Sequence, residues 1–357
     1  MRADYDPFER GPLPVGVRTV AARDETRNHE FPCEIWYPAD MRHVGQDLAP
    51  ATQDVFAPPS RDTLRVQMAV REAAFHPGTY PLVIYSHHSG GHRQAATFLC
   101  THLASHGYLV AALDHSEVIA PELARPKNET EEQKAARWQA VIASRVPDVC
   151  FLLEHLLSRS ALVFDSAARI EPAQIGIVGH SLGAWTALAA NDVERRFRAV
   201  VAHAPGGTSN PRPGILPVKL SFDWGRDVPT LYLVAENDVP LPLAGMYETF
   251  DRTPATKQMV ILRRADHLHF IDNIEQEHEA ARNADWPAEL ASMQKEMLPI
   301  GDLCSEEKAQ LWVRGLTLCH MDAILRQRRE ARRLLTGNIE GELARRAVDV
   351  RVHRPQG

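Results

Sequence analysis

Short apolar runs rich in β-branched residues recur along this chain, and stretches with helical spacing separate them. Residues 31–38, 80–86, 108–114, 175–178, 199–203, 230–235 and 258–262 are runs of this kind. Each reads as a strand, with 258–262 the last. Helical spacing covers residues 94–105, 131–158, 184–190 and 306–333, with a break expected near Pro147. Strands alternating with helices predict an α/β protein, with a mostly parallel central sheet covered on both faces.

The remaining stretches fit around that alternation. Residues 39–80 are proline-rich and irregular, with a helical patch near 63–74, and read as a surface insertion. The glycine- and proline-rich loop 206–225 and the mixed, polar stretch 272–303 are candidate lid segments. A single domain over residues 1–357 accommodates the strand spacing, with 334–357 as a C-terminal tail. Arginines gather from Arg326 to Arg333 and again at Arg345, Arg346, Arg351 and Arg354. Glu330, Glu340, Glu342 and Asp349 interleave with them. That pattern fits a solvated helix face and a frayed tail better than a surface for an acidic partner or a membrane.

Composition narrows the function classes. The chain is 44% hydrophobic and 24% charged, which is ordinary for a globular protein. Its net charge of −6 argues against a general nucleic-acid binder. Cys33, Cys100, Cys150, Cys304 and Cys319 are scattered, odd in number and without metal-ligand spacing. Reduced, buried thiols are expected. The first residues carry acids and no apolar run, unlike a signal peptide. No stretch approaches the apolar length of a membrane span. A cytoplasmic protein without stable membrane insertion is expected.

The most specific chemistry lies at Gly179-His180-Ser181-Leu182-Gly183. It sits between the strand at 175–178 and the helix at 184–190. Strand, Gly-x-Ser-x-Gly, helix is the sequence form of a nucleophile elbow. The turn is so tight that the serine takes a strained backbone, and glycines on both sides remove side-chain collisions. The hydroxyl is lifted clear of the sheet, and the next helix points its unpaired N–H groups at the reaction centre.

A serine hydroxyl needs a base to take its proton and an acid to orient that base. In this strand order the acid follows the serine and the histidine follows the acid. Asp238 lies just past the strand at 230–235, and His267 just past the strand at 258–262. Both are at carboxyl ends of strands, where open α/β sheets place their sites. The predicted triad is therefore Ser181, Asp238 and His267. Glu236 on the same loop competes with Asp238, as do Asp223 and Asp227 before the strand. His269 competes with His267.

Oxyanion donors complete the chemistry. One is the Leu182 backbone N–H, and the other belongs to the loop 86–93, at Ser89 with His88 as the nearest rival. His88, His115, His180 and Trp286 are candidate pocket residues. Trp286, Met293 and Met297 form either an apolar wall over the site or the packing of 272–303 onto the core. None of these histidines belongs to a helix-borne His-x-x-x-His and no paired cysteines accompany them, so neither a metal nor a cofactor is expected.

The chain resembles α/β-hydrolases of the platelet-activating-factor acetylhydrolase and dienelactone-hydrolase-like group. Residues 11–17 and 31–38 look like that group's N-terminal strands. Residues 81–87 with Gly90-Gly91 look like its oxyanion strand and loop, 103–112 like its next helix and strand, and 179–183 like its elbow. His267-Leu268-His269-Phe270 resembles its His-x-x-Phe, which favours His267 over His269. Two departures stand out. The usual His-Gly of the oxyanion loop reads His87-His88. The stretch 202–207, where the platelet-activating-factor enzymes carry their acid, has no carboxylate. The acid then comes from the next strand end, as in most of the wider superfamily, at Asp238. The resemblance implies the α/β-hydrolase fold with loop and helical insertions over the site, and a small-molecule ester with a short or accessible acyl group as substrate. An amidase, carbamate hydrolase or lactonase would use the same triad, and a non-catalytic binding protein would keep the fold alone.

Overall fold

The structure, a computed structural model, describes residues 5–59, 63–124, 126, 129–165, 167–287 and 290–354. They fall into two compact units. The first comprises Arg10–Val178 and Glu194–Phe197, and the second Met1–Glu9, Gly179–Val193 and Arg198–Gly357.

In the first unit the strands are β1 (Val15–Asp24), β2 (His29–Pro38), β3 (Asp54–Phe56), β4 (Arg65–Gln67), β5 (Val70–Arg71), β6 (Gly78–Ser86), β7 (Leu109–Leu113) and β8 (Ala168–His180). Six lie side by side in the order β8-β6-β7-β2-β1-β5, while β3 and β4 form a separate ribbon. β6 and β7 run parallel, and β2 is antiparallel to both β1 and β7. β7 is buried throughout, as its continuous apolar run requires.

The helical patch expected at 63–74 is not present. β4 and β5 occupy it. Helix-forming residues there are overruled by tertiary bonds. Gln67 accepts from Trp36 Nε1 at 2.6 Å and donates to Asp54 Oδ2 at 2.6 Å. Arg71 reaches Glu34 and Asp54. Residues 60–62 of the expected insertion lie outside the described residues.

Helices α1 (Thr97–Ser105), α2 (Ser116–Ile119), α3 (Glu131–Ser158) and α4 (Ser160–Val163) accompany these strands. α3 opens on a capping box between Thr130 and Gln133. It continues through Pro147 without the expected break. Proline removes one backbone bond, but Arg145 and Asp148 on either side of it are buried and bonded, and Val149, Leu152 and Leu156 continue the same buried face.

Arg145 fixes the loop that follows β6. Its guanidinium donates to the carbonyl of His87 at 2.6 Å and of His88 at 3.2 Å, and it pairs with Glu117. Replacing Arg145 with methionine is expected to destabilise the fold by about 3–5 kcal/mol, since it strands Glu117 and two carbonyls away from water. Urea unfolding midpoints measure this. A loss under about 1 kcal/mol would contradict the clamp.

In the second unit β9 (Phe197–His203), β10 (Thr230–Ala235) and β11 (Lys257–Leu262) run parallel. The strand at 258–262 is not the last. β12 (Val350–His353), inside the stretch read as a frayed tail, adds antiparallel to β11. The last three residues of the tail lie outside the described residues. The helices are α5 (Leu182–Ala189), α6 (Leu243–Arg252), α7 (Ile274–Asn283), α8 (Ala291–Glu296), α9 (Glu306–Ile324), α10 (Arg329–Thr336) and α11 (Ile339–Ala344).

The single helix expected over 306–333 is two. The chain reverses at Gln327, whose φ is 54°, and α10 packs back on α9. Small residues make the close approach: Cys319, Ala323 and Ala331 form its centre, with Ile324, Leu334 and Leu335 around them.

Candidate active site

Ser181 follows β8 and precedes α5, with φ 58° and ψ −117°. That strained conformation is the elbow expected from the sequence. A Cβ at Gly179 would stand 2.1 Å from the carbonyl oxygen of Gly183, so no side chain fits there. The turn is pinned from below by Ser181 N–H donating to the carbonyl of His203 at 2.9 Å. Leu182 is the first residue of α5, so its N–H has no acceptor within the helix.

The structure brings the three predicted side chains into one line. His267 Nε2 lies 2.9 Å from Ser181 Oγ, and His267 Nδ1 lies 2.7 Å from Asp238 Oδ2. Asp238 is buried, and its other oxygen accepts from Leu241 N–H at 2.8 Å. The carboxylate therefore fixes Nδ1 as the protonated nitrogen, which leaves Nε2 free to accept from the serine. The His267 side chain remains 16% exposed, so the residue is not sealed from solvent. Burial disfavours its charged form, but the Asp238 carboxylate outweighs that and raises the imidazole pKa above its ordinary 6.5.

Three of the four competitors are occupied elsewhere, and Asp223 is exposed ahead of β10. Glu236 accepts from Arg264 N–H and faces Arg263. Asp227 accepts from Thr256, just before β11. His269 is buried, 2.8 Å from Asp266 Oδ1 and 3.0 Å from the carbonyl of Cys304. The turn that follows β11 separates two histidines that strand alternation alone could not.

An apolar cavity of about 110 Å³ adjoins the imidazole, lined by Val239, Pro240, His267, Leu268, Ala281, Trp286 and Met297, with Asp266 at its edge. Trp286 and Met297 are thus wall residues, as one reading of the sequence had them. Met293 is buried and is not among the lining residues. His180 is also buried. Its ring lies 4.9 Å from that of His267, and its Nε2 donates to the His267 carbonyl at 2.9 Å. It supports the histidine from behind instead of lining the cavity.

In the first unit, Ser89 is exposed on the loop after β6, and Gly90 beside it has φ 71°. His88 is half-buried. His115 does not line an open pocket. Its Nδ1 lies 3.0 Å from Asp148 Oδ2 and its Nε2 lies 2.8 Å from Ser86 Oγ. This second serine–histidine–aspartate line was not foreseen. Ser86, His115 and Asp148 are all buried, so no substrate reaches the hydroxyl. Burial and the nearby Arg145 charge push the His87 and His115 pKa values well below 6.5, so both rings are neutral hydrogen-bonding parts of the loop support. The sequence signal was faint: a basic and an acidic residue three apart on the apolar face of a helix.

Among the described residues, no three His, Cys, Asp or Glu side chains converge as metal ligands would, and no helix is long and apolar enough to cross a membrane. None of the five cysteines is in a disulfide; four are buried and Cys150 is half-buried.

The family model described as platelet-activating factor acetylhydrolase, isoform II, matches residues 62–147. The platelet-activating factor acetylhydrolase of Cavia porcellus is 24% identical over a match covering 54% of this chain and 48% of that protein. The chain thus spans about half the length of that relative. A ferulic acid esterase from Streptomyces cinnamoneus shares the fold with a TM-score of 0.60 and 23% identity, over 89% of this chain and 92% of that one. A mostly parallel sheet with helices around it, matched over nine-tenths of the chain, is the α/β-hydrolase fold. The chain thus has the α/β-hydrolase fold, and part of its sequence is similar to platelet-activating factor acetylhydrolases.

Proposed function

We propose that the protein is a serine hydrolase of carboxylic esters, working through an acyl-enzyme. The observation that carries this reading is the unbroken line from Ser181 Oγ through His267 to Asp238, with spacings of 2.9 and 2.7 Å. Ser181 attacks the ester carbonyl while His267 Nε2 takes its proton. His267 then returns that proton to the departing alcohol, and Asp238 stabilises the imidazolium between the two events. A water activated by the same nitrogen hydrolyses the acyl-enzyme. The Leu182 N–H is one donor to the tetrahedral oxyanion. The chemistry is complete with protein groups and water.

The cavity beside His267 supports a substrate with one small apolar limb. Its 110 Å³ is less than the roughly 150 Å³ of an engineered cavity that admits benzene, so a short aliphatic acyl group fits where an aromatic one is crowded. Five cysteines outside disulfides suit a reducing compartment, and we assign the protein to the cytoplasm.

Matched substrates test the reaction class. p-Nitrophenyl acetate is expected to turn over at least about 10³ times faster than p-nitroacetanilide, because the site offers no extra acid for a poor amine leaving group. Comparable rates would make the protein an amidase. The pH profile is a second expected outcome. His267 must be neutral to act as base, so kcat/KM rises with pH through a pKa above 6.5 and then levels. The stability term has the opposite sign. A raised imidazole pKa stabilises the fold below pH 6.5, and that contribution disappears as pH climbs through the folded-state value.

A further inference from the structure

Next to the catalytic line lies a carboxylate that the line does not use. Asp266 immediately precedes His267 and is buried. Its Oδ1 accepts from Leu268 N–H at 3.0 Å and lies 2.8 Å from His269 Nδ1. Its Oδ2 stands 2.6 Å from Nε2 of His278, a fully buried residue of α7. The other nitrogen of His269 is 3.0 Å from the Cys304 carbonyl, which can only accept, so it carries a proton. Burial alone would keep the Asp266 carboxyl neutral, but the two imidazoles overturn that and hold it well below the usual carboxylate range.

One carboxylate therefore joins two structures. On one side it closes the turn that presents His267. On the other it holds α7, and α7 leads directly into the cavity wall. Ala281 lies on that helix, and Trp286 Nε1 donates to its carbonyl at 2.8 Å. Gln294 of α8 donates to the carbonyls of Arg282 and Ala284 at 2.9 and 2.6 Å. Arg212 grips Glu296 with both terminal nitrogens and also donates to the Val239 carbonyl at 3.0 Å. The wall is braced from three directions, and in the Asp266–His278 brace the carboxylate is the chain neighbour of His267.

We propose that Asp266, through His269 and His278, positions the His267 imidazole and the Trp286–Met297 wall together, so that the Asp266–His278 pair sets how large an acyl group the site accepts. The described residues of 272–303 are then a fixed wall and not a lid. This inference rests on the esterase reading above. Asp266 and His278 touch no reacting atom, so both are positioning residues. The groups that face His267 are Ser181, Asp238, the ring of His180, and Asp266. Glu279 stands 3.7 Å from the far nitrogen of His278.

The test compares kcat and KM for p-nitrophenyl acetate, butyrate and octanoate, with pH profiles, in the full chain and in His278→Gln, Asp266→Asn, Trp286→Ala and Ser181→Ala. Trp286→Ala and His278→Gln are each expected to raise the octanoate-to-acetate ratio of kcat/KM about tenfold, the low end of what one methylene is worth in a pocket. Asp266→Asn is expected to raise the ratio likewise, and to lower the kinetic pKa by removing a negative charge beside the imidazole. An unchanged ratio in His278→Gln overturns the inference, whether or not Trp286→Ala changes it. So does an Asp266→Asn enzyme with both the ratio and the kinetic pKa of the parent. If Asp266→Asn does not fold, the His278→Gln ratio alone decides. An active Ser181→Ala protein would instead remove the esterase reading itself, which separates the two failures.

Discussion

Replacing Ser181 with alanine is expected to lower kcat for p-nitrophenyl acetate by about 10⁴-fold or more, with little change in KM. The serine forms the bond that the acyl-enzyme depends on, and no other described hydroxyl is held at Nε2 of the His267 imidazole. The Ser86 hydroxyl has its own histidine and aspartate, but all three are sealed from solvent. Substrate binding does not need the Ser181 hydroxyl, so KM stays near its original value. The strained backbone at φ 58° is set by the elbow, and alanine meets the same strain as serine, so the fold survives. Any residual rate would come from the oxyanion donors and from binding. A variant within about tenfold of the parent enzyme would show that chemistry occurs elsewhere.

Asp238→Asn has the second largest expected effect, a fall in kcat of about 10⁴-fold. The argument is one of tautomers. Leu241 N–H needs an acceptor at 2.8 Å, so the amide oxygen of an asparagine takes that side. Its NH₂ group then faces His267 Nδ1 at the 2.7 Å position. Nδ1 must accept, the ring proton moves to Nε2, and Nε2 no longer takes the proton of Ser181. The carboxylate that raised the imidazole pKa is also gone, so the acid limb of the remaining activity shifts to lower pH. Burial of a neutral amide costs less than burial of a charge, so the melting temperature is not expected to fall with the rate. Steady-state kinetics with thermal melts separate the two. A parallel loss of activity and folding would reduce Asp238 to a structural role.

The candidate triad was legible because its signals are local. A glycine two residues before a strained serine, an acid one turn past a buried strand and a histidine past the next can each be read from a few residues. Six of the seven expected strands lie within three residues of their observed bounds at both ends, for the same reason: continuous apolar runs have few alternatives. What escaped the sequence depends on distant partners. Residues 63–74 have helix-forming composition, yet Trp36, Asp54 and Glu34 draw Gln67 and Arg71 into extended chain. Pro147 reads as a break until Arg145 and Asp148 are seen bonded on either side of it. His115 looked like a pocket residue because it follows a strand end, where sites collect. Its commitment to Ser86 and Asp148 requires a helix more than thirty positions away. β12 has only four residues, too few for a period to register. His278 carried no motif, and only the fold brings it to Asp266.

The measurement that bears most directly on the account is covalent labelling with a fluorophosphonate, followed by peptide mapping of the adduct. The reagent reacts only with a serine that an adjacent base has activated and that solvent can reach. The account predicts one adduct, on Ser181, absent from both Ser181→Ala and His267→Ala. An adduct on Ser86 or any other serine, or an unlabelled protein, would contradict it.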